Sequence, residues 1–272
     1  MIIPVLLGVL IIVFTLNFFM PGDPVLNQLE KNYTQEQYDK VAHEMGLDRP
    51  YIVQLGSYLW GVVSRFDLGT SYSTKQPVVN MIKSKVLVSI KIGLLSTLVT
   101  VIIAIPFGIV SSLKQNTLID YSITTVAVVL ASMPGFWLAI LLVLVFSLYL
   151  KWLPATGLTS WKHYILPVVS NGAMSFAAVT RMTRSSMLEV TRQDYIRTAR
   201  SKGLTEREIV IGHALKNALI PVVTIVGGMM SFIIWGTVIT ETIFSIPGMG
   251  LLLVTAISQR DYPLILGITV II

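Results

Sequence analysis

Charge is scarce in this sequence and cysteine is absent. Asp, Glu, Lys and Arg make up 12% of the 272 residues, about half the share of an ordinary soluble domain, while 54% are hydrophobic. That balance excludes an ordinary water-soluble fold. With no cysteine, the chain has no disulfide, no thiolate nucleophile and no thiolate-held metal, and its redox compartment stays open. Also missing are a G-x-x-x-x-G-K-[S/T] phosphate loop, any Gly-Lys pair, and the HExxH and G-x-S-x-G patterns of hydrolases. The three histidines, His43, His163 and His213, fall in three separate loops, so no catalytic site converges. The formal charge of +6 does not point to nucleic acid, because the basic residues lie between apolar runs, where membrane topology accounts for them.

The remaining charge is clumped. No Asp, Glu, Lys or Arg occurs in 1–22, 92–113, 121–150, 163–180, 217–240, 242–259 or 262–272, and most of these gaps reach the roughly 18 to 20 apolar residues that cross a bilayer as a helix. The expected organisation is a first span over 1–20, a polar section over 21–86 and a core of further helices over 87–272. Met1 to Met20 lacks the basic start and A-x-A site of a signal peptide and reads as a span. In the polar section Thr34 to Met45 reads as a short helix, and Pro21, Gly22, Pro24, Gly46 and Pro50 punctuate the rest.

Val86 to Ser112 reads as the second span, with Lys91 either snorkelling to the interface or touching substrate. Tyr121 to Leu150 is long for one crossing, and Pro134-Gly135 near its middle predicts a kink. Trp152, Trp161 and Tyr164 sit as interfacial aromatics do. The fourth span starts at Ile165 and continues as helix through Arg181 and Arg184, and the fifth covers Ala218 to Thr240. Thr242 to Ser258 contains Ile246-Pro247-Gly248-Met249-Gly250, which favours a turn or re-entrant stretch. The last apolar run, Pro263 to Ile272, cannot span; it is either the beginning of a sixth helix or a short packed segment. Eleven methionines scattered through apolar runs read as packing, and no metal-ligand cluster is expected.

Orientation follows from the loops. Residues 181 to 216 hold eight cations (Arg181, Arg184, Arg192, Arg197, Arg200, Lys202, Arg207, Lys216) against four acids (Glu189, Asp194, Glu206, Glu208). This segment should face the cytoplasm, which places the N-terminus inside and 21–86 outside. The segment 185–219 also has helical grammar. Thr191-Arg-Gln-Asp194 fits a capping box, Tyr195 to Lys202 contains no breaker and ends at Gly203, and Thr205-Glu-Arg-Glu208 fits a second capping box. Ile209, Val210, Leu215, Ala218 and Leu219 then form an incomplete apolar stripe leading to Pro221. Two short helices around a glycine turn make either a docking element or a plain connector.

Asp194-Tyr-Ile-Arg-Thr-Ala-Arg-Ser-Lys-Gly-Leu204 followed by His213-Ala-Leu-Lys-Asn-Ala-Leu-Ile-Pro221 resembles the coupling segment of ABC importer permeases of the dipeptide, oligopeptide and nickel group. Aligned on Gly203, the chain keeps Ala199 and Leu215 of the generic signature and has Arg197, Thr198, His213 and Lys216 at its other positions, as the peptide group does. Gly46-Leu-Asp-Arg-Pro50, Asp67-Leu-Gly-Thr-Ser71 and Pro77-Val78 resemble the external domain of these permeases. Glu241-Thr-Ile-Phe-Ser-Ile-Pro-Gly-Met-Gly250 and Arg260-Asp-Tyr-Pro263 resemble the segment before their final helix.

The resemblance implies an all-α membrane protein with the type I ABC importer permease fold, of about six transmembrane helices and a small extracytoplasmic domain, in a bacterial plasma membrane. It implies half of a translocation pore completed by a second permease subunit, driven by two cytoplasmic ATPase subunits and fed by an extracytoplasmic substrate-binding protein. No cofactor and no catalytic residue are implied in this chain. Asp194, Tyr195, Arg197, Ala199, Arg200, Gly203, Leu204, Glu208 and Leu215 would couple to the ATPases, with Ala199 allowing close approach and Asp194, Arg197, Arg200 and Glu208 supplying charged contacts. Residues 21–86 would seat the binding protein or merely cover the pore mouth. Pro134, Glu241, Pro247 and Gly248 are candidates for the gate or pathway, although Glu241 could equally fix the adjacent turn. Peptides are the expected cargo, with nickel or a metallophore complex as the alternative. An ion-coupled transporter is disfavoured, because apart from Lys91 the spans carry no ionisable group.

Overall fold

The computed structural model describes residues 2–26, 28–29 and 32–272, so Met1 and the charged pair Glu30 and Lys31 lie outside the described residues. Among the described residues the chain is helical, with no strand beyond an isolated bridge between Thr70 and Pro77. Two helices, Val78–Leu113 and Glu206–Met230, are long and apolar enough to cross a membrane, and a bent pair, 118–149, is a third if it counts as one span. The chain divides into two compact units, residues 1–88 with 247–272 and residues 89–246. The grouping of 247–272 with the N-terminal residues was not expected.

In the first unit, α1 (Ile2–Phe18) is 17 residues, roughly 25 Å at 1.5 Å per residue. Helix α2 (Gln35–Glu44) starts on the expected Thr34, whose side chain accepts from the Gln37 backbone while Gln37 returns the bond. After Gly46 in the left-handed region, the His43 Nδ1 lies 2.6 Å from the Asp48 carboxylate and holds that carboxyl below its ordinary value. Helix α3 (Tyr51–Arg65) was not expected. Its apolar residues lie partly outward, Ile52, Trp60 and Val63 being exposed, so no clean polar face marks it in the sequence.

Helix α13 (Met249–Gln259) and α14 (Tyr262–Ile271) complete this unit. Helix α14 packs on α1 and α13, and a Cβ on its Gly267 would come 2.4 Å from Val78 Cγ1, so only glycine permits the approach. Between α13 and α14 the buried Asp261 carboxylate accepts from the Ser71 hydroxyl at 2.5 Å and from the Tyr72 and Ser73 backbone at 3.0 and 3.2 Å. The Asp67–Ser71 and Arg260–Pro263 motifs, far apart in sequence, thus form one hydrogen-bonded joint.

The second unit is built around α7 (Lys162–Thr191), the central helix, against which α5 (Leu118–Ser132), α6 (Gly135–Leu142) and α10 (Leu215–Met230) pack. Helix α7 continues well past Thr180, as expected, and buries small and hydroxyl side chains such as Ser170, Gly172, Thr180 and Thr183. Such residues let helices approach closely where hydrocarbon offers no polar partner. Thr100 of α4 (Val78–Leu113) donates to the Gly172 carbonyl at 3.1 Å, and Gly108 faces Thr183 with no space for a Cβ. Helix α4 is 36 residues, roughly 54 Å, and begins at Val78, ahead of the expected Val86.

One expectation is sharpened and two are corrected. The kink at Pro134-Gly135 is a break: α5 and the helix 135–149 are bent by 103°, because proline denies its N–H to the preceding turn and Met133 is extended. The fifth helix does not run from Ala218 to Thr240. It starts as continuous helix at Glu206, passes a π-helical stretch over Ile209–Ala214, and ends at Met230. Gly227 and Gly228 precede its end, and 233–243 form two short helices, α11 (Ile233–Gly236) and α12 (Val238–Ile243). Finally, Thr191 is not a cap. It is the last residue of α7, its hydroxyl donating back to the Leu188 carbonyl at 3.2 Å.

Candidate functional site

The segment after α7 turns at Arg192-Gln193 and forms α8 (Asp194–Ser201). Eight residues are too few to hold a helix in water by propensity; α8 is held by its seat. Ile196 and Ala199, three apart and therefore on one face, are buried in a core with Met187 of α7 and with Ile209, Val210, Ala214 and Ala218 of the following helix; Leu215 packs against the same core. Ala199 is thus turned inward, and its methyl sets how closely α8 lies on its own chain.

Gly203 ends α8 with φ of +82° and open space where a Cβ would be, so glycine answers the backbone there. Its amide donates to the Arg200 carbonyl at 3.0 Å. The second capping box is present: Glu208 accepts from the Thr205 amide at 2.8 Å and its hydroxyl at 2.7 Å, and Thr205 accepts from the Glu208 amide. It opens α9 (Glu206–Glu208). Arg200 reaches across the turn to Glu206 in a bidentate pair of 2.6 and 3.2 Å, and that carboxylate raises the Arg200 guanidinium above its ordinary value.

Arg200 and Glu208 are therefore occupied in bracing the turn. Asp194 and Arg197 make only a loose exposed pair at 3.5 Å, and Leu204 stands outward. Tyr195 is part exposed and accepts from the Asn217 amide at 2.7 Å. Asp194, Tyr195, Arg197, Lys202, Gly203 and Leu204 stand on the outward surface of the segment, beside the exposed Thr198, Ser201 and Arg207.

Two structural residues, Ile196 and Asp120, have no counterpart among the residues singled out from the sequence. Ile196 stands in the motif between two conspicuous polar neighbours. Asp120, at the start of α5, is buried and held by Arg184 of α7 through two bonds of 2.7 Å, with further bonds from Ser111 of α4 and the Asn116 backbone. Only the charge-poor surroundings of Asp120 could have drawn attention to it, and no spacing rule links it to Arg184.

Of the other candidates, Pro134 is exposed at the α5–α6 break. Glu241 is fully buried, and its backbone carbonyl accepts from Ile246 at 2.8 Å, closing the turn that ends α12. Pro247 is exposed, and the buried Gly248 caps α13. Lys91 is exposed yet does not stand alone: its Nζ lies 3.0 Å from the Tyr164 hydroxyl, over that ring.

Residues 104–272 match the family model described as binding-protein-dependent transport system inner membrane component, and residues 1–93 match the corresponding N-terminal model. The chain is 39% identical over 293 residues to the dipeptide transport system permease protein DppB of Alkalihalophilus pseudofirmus, covering 97% of this chain and 88% of that one. It is 38% identical over 280 residues to the oligopeptide transport system permease protein AppB of Bacillus subtilis, covering 99% and 88%. To the dipeptide transport system permease protein DppB of Escherichia coli K12 it is 33% identical over 299 residues, covering 98% and 88%.

Proposed function

Because the chain belongs to the family of binding-protein-dependent transport system inner membrane components, we propose that it is one of two permease subunits of an ATP-driven importer of di- and oligopeptides. A second, similar permease completes the pore, two cytoplasmic ATPases drive it, and an external binding protein delivers cargo to residues 21–86. ATP is hydrolysed by the partners, and the N-terminus is cytoplasmic. The names of the relatives support a peptide cargo, and the cation-rich 181–216 loop supports the orientation.

The observation that carries the mechanism is the seat of α8. Because Ile196 and Ala199 share one close-packed core with α7 and the helix after Gly203, a push on the outward face of α8 moves both helices with it. The Asp120–Arg184 pair, with Ser111 of α4 also bonded to Asp120, extends that connection to α4 and α5. Closure of the ATPase dimer would thereby rock the second unit between inward-open and outward-open states, with no chemistry required in this chain.

Gly203→Pro tests the reading. Proline is locked near −65° where the backbone stands at +82°, and it removes the donor to Arg200. The expected result is loss of dipeptide uptake, together with ATP hydrolysis that no longer responds to substrate, in a chain still inserted at normal level. Uptake at the wild-type rate would sink the coupling role.

A further inference from the structure

A cleft of about 240 Å³ opens inside the second unit between α4, α7 and the turn joining α10 to α11. Ser96 and Thr97 of α4 and Asn171 and Ser175 of α7 give it a polar wall, Met229 and Phe232 an apolar one, and no charged side chain lines it. The Thr97 hydroxyl is engaged by its own helix, donating to the Gly93 carbonyl at 2.9 Å. Ser96 is different. It is 2% exposed, and its hydroxyl has no hydrogen-bond partner among the described residues.

A serine inside a helix ordinarily returns its proton to a carbonyl one turn back, and a buried hydroxyl left unbonded costs roughly 1–3 kcal/mol. A polar group entering the cleft would meet that hydroxyl and recover the cost. The lining specifies the visitor. Neutral donors and acceptors bond a neutral amide without stripping an ion of its water, and the Asn171 side chain carries both halves of a peptide group, a carbonyl and an N–H donor. Methionine repacks readily around different side chains. The volume is below the roughly 300–1,000 Å³ of sites that enclose a whole drug-sized ligand, so it fits a segment of a longer molecule.

We infer that this cleft is a peptide-backbone subsite of the translocation pathway, in which Asn171 pairs with an amide of the passing peptide, Ser96 and Ser175 bond beside it, and Met229 and Phe232 hold its side chain. The inference rests on the peptide-importer reading and adds the residues and the recognition chemistry. It explains tolerance of many peptide sequences, because the groups contacted are those every peptide shares.

The test uses the complete importer in cells lacking other peptide uptake, with labelled Gly-Lys and Gly-Glu dipeptides as probes. Asn171→Asp places a carboxylate in the cleft and is expected to raise Gly-Lys uptake relative to Gly-Glu by about tenfold, a modest share of what close charges exert in a partly buried site. A misfolded chain loses both substrates and cannot change their ratio in this way. Ser175→Cys supplies the chain's one thiol, and saturating dipeptide is expected to slow its reaction with a small maleimide several-fold. If Asn171→Asp fails to insert, the thiol measurement decides. An unchanged uptake ratio with labelling indifferent to dipeptide overturns the subsite. A wild-type chain that restores no dipeptide uptake overturns the importer reading beneath it.

Discussion

Ile196 decides whether α8 exists as a helix. Its side chain has no exposed surface and is the larger of the two anchors on an element of eight residues. Ile196→Ala should cost about 2–5 kcal/mol, more than so short a helix returns by itself, so α8 would fray while α7 and α10 remain. Hydrogen exchange over 194–204 should accelerate sharply, with uptake falling in parallel. Ile196→Val, which costs only about 0.5–1.5 kcal/mol, should keep both near wild type. Exchange unaltered in Ile196→Ala would remove Ile196 from this role. At this scale the sequence displays chemistry more readily than direction. Gly203 and the Thr205–Glu208 box were legible because their partners lie within three residues. That Ala199 and Ile196 turn inward, and that Arg200 is taken by Glu206, depends on how α8 rolls onto a core assembled from elsewhere.

Among elements, the junction of α4, α5 and α7 is the strongest case of a contact that sequence periodicity does not disclose. Asp120 is 2% exposed in its side chain and Arg184 25%, so the pair is sheltered, and each oxygen of the carboxylate has two donors. Removing one partner of a buried pair strands the other charge, at roughly 3–5 kcal/mol. Asp120→Ala should therefore lower the thermal midpoint of the purified importer clearly, and Arg184→Met in the same chain should recover much of the loss, since the stranded cation is then gone. Equal loss in the double and single variants would mean that Asp120 acts through its other donors. The same reasoning separates the legible from the illegible elements. The Thr205 cap was legible because a cap is a local bond. Thr191 has the same pattern, yet it is the last residue of α7 and its hydroxyl donates back to the Leu188 carbonyl instead of capping the next helix. The Pro134-Gly135 break was legible in place, but its 103° angle is set by what α6 packs against.

At the scale of the molecule, the distribution of charge supplies an orientation that the fold does not. Residues 181–216 carry twice as many cations as acids, and the loop lies within a few residues of apolar helices on both sides, where basic residues govern topology. Residues 21–86 are too long to be governed by their own charge and follow the spans around them. The absence of cysteine makes this orientation measurable, because each introduced thiol is unique. Lys202→Cys, on the exposed turn after α8, and Gln35→Cys, on the exposed first turn of α2, bracket the two loops without touching the buried cores. In intact spheroplasts a membrane-impermeant maleimide should label Gln35→Cys and leave Lys202→Cys unlabelled until the membrane is opened. The reverse pattern would invert the chain and, with it, remove α8 from reach of any cytoplasmic ATPase.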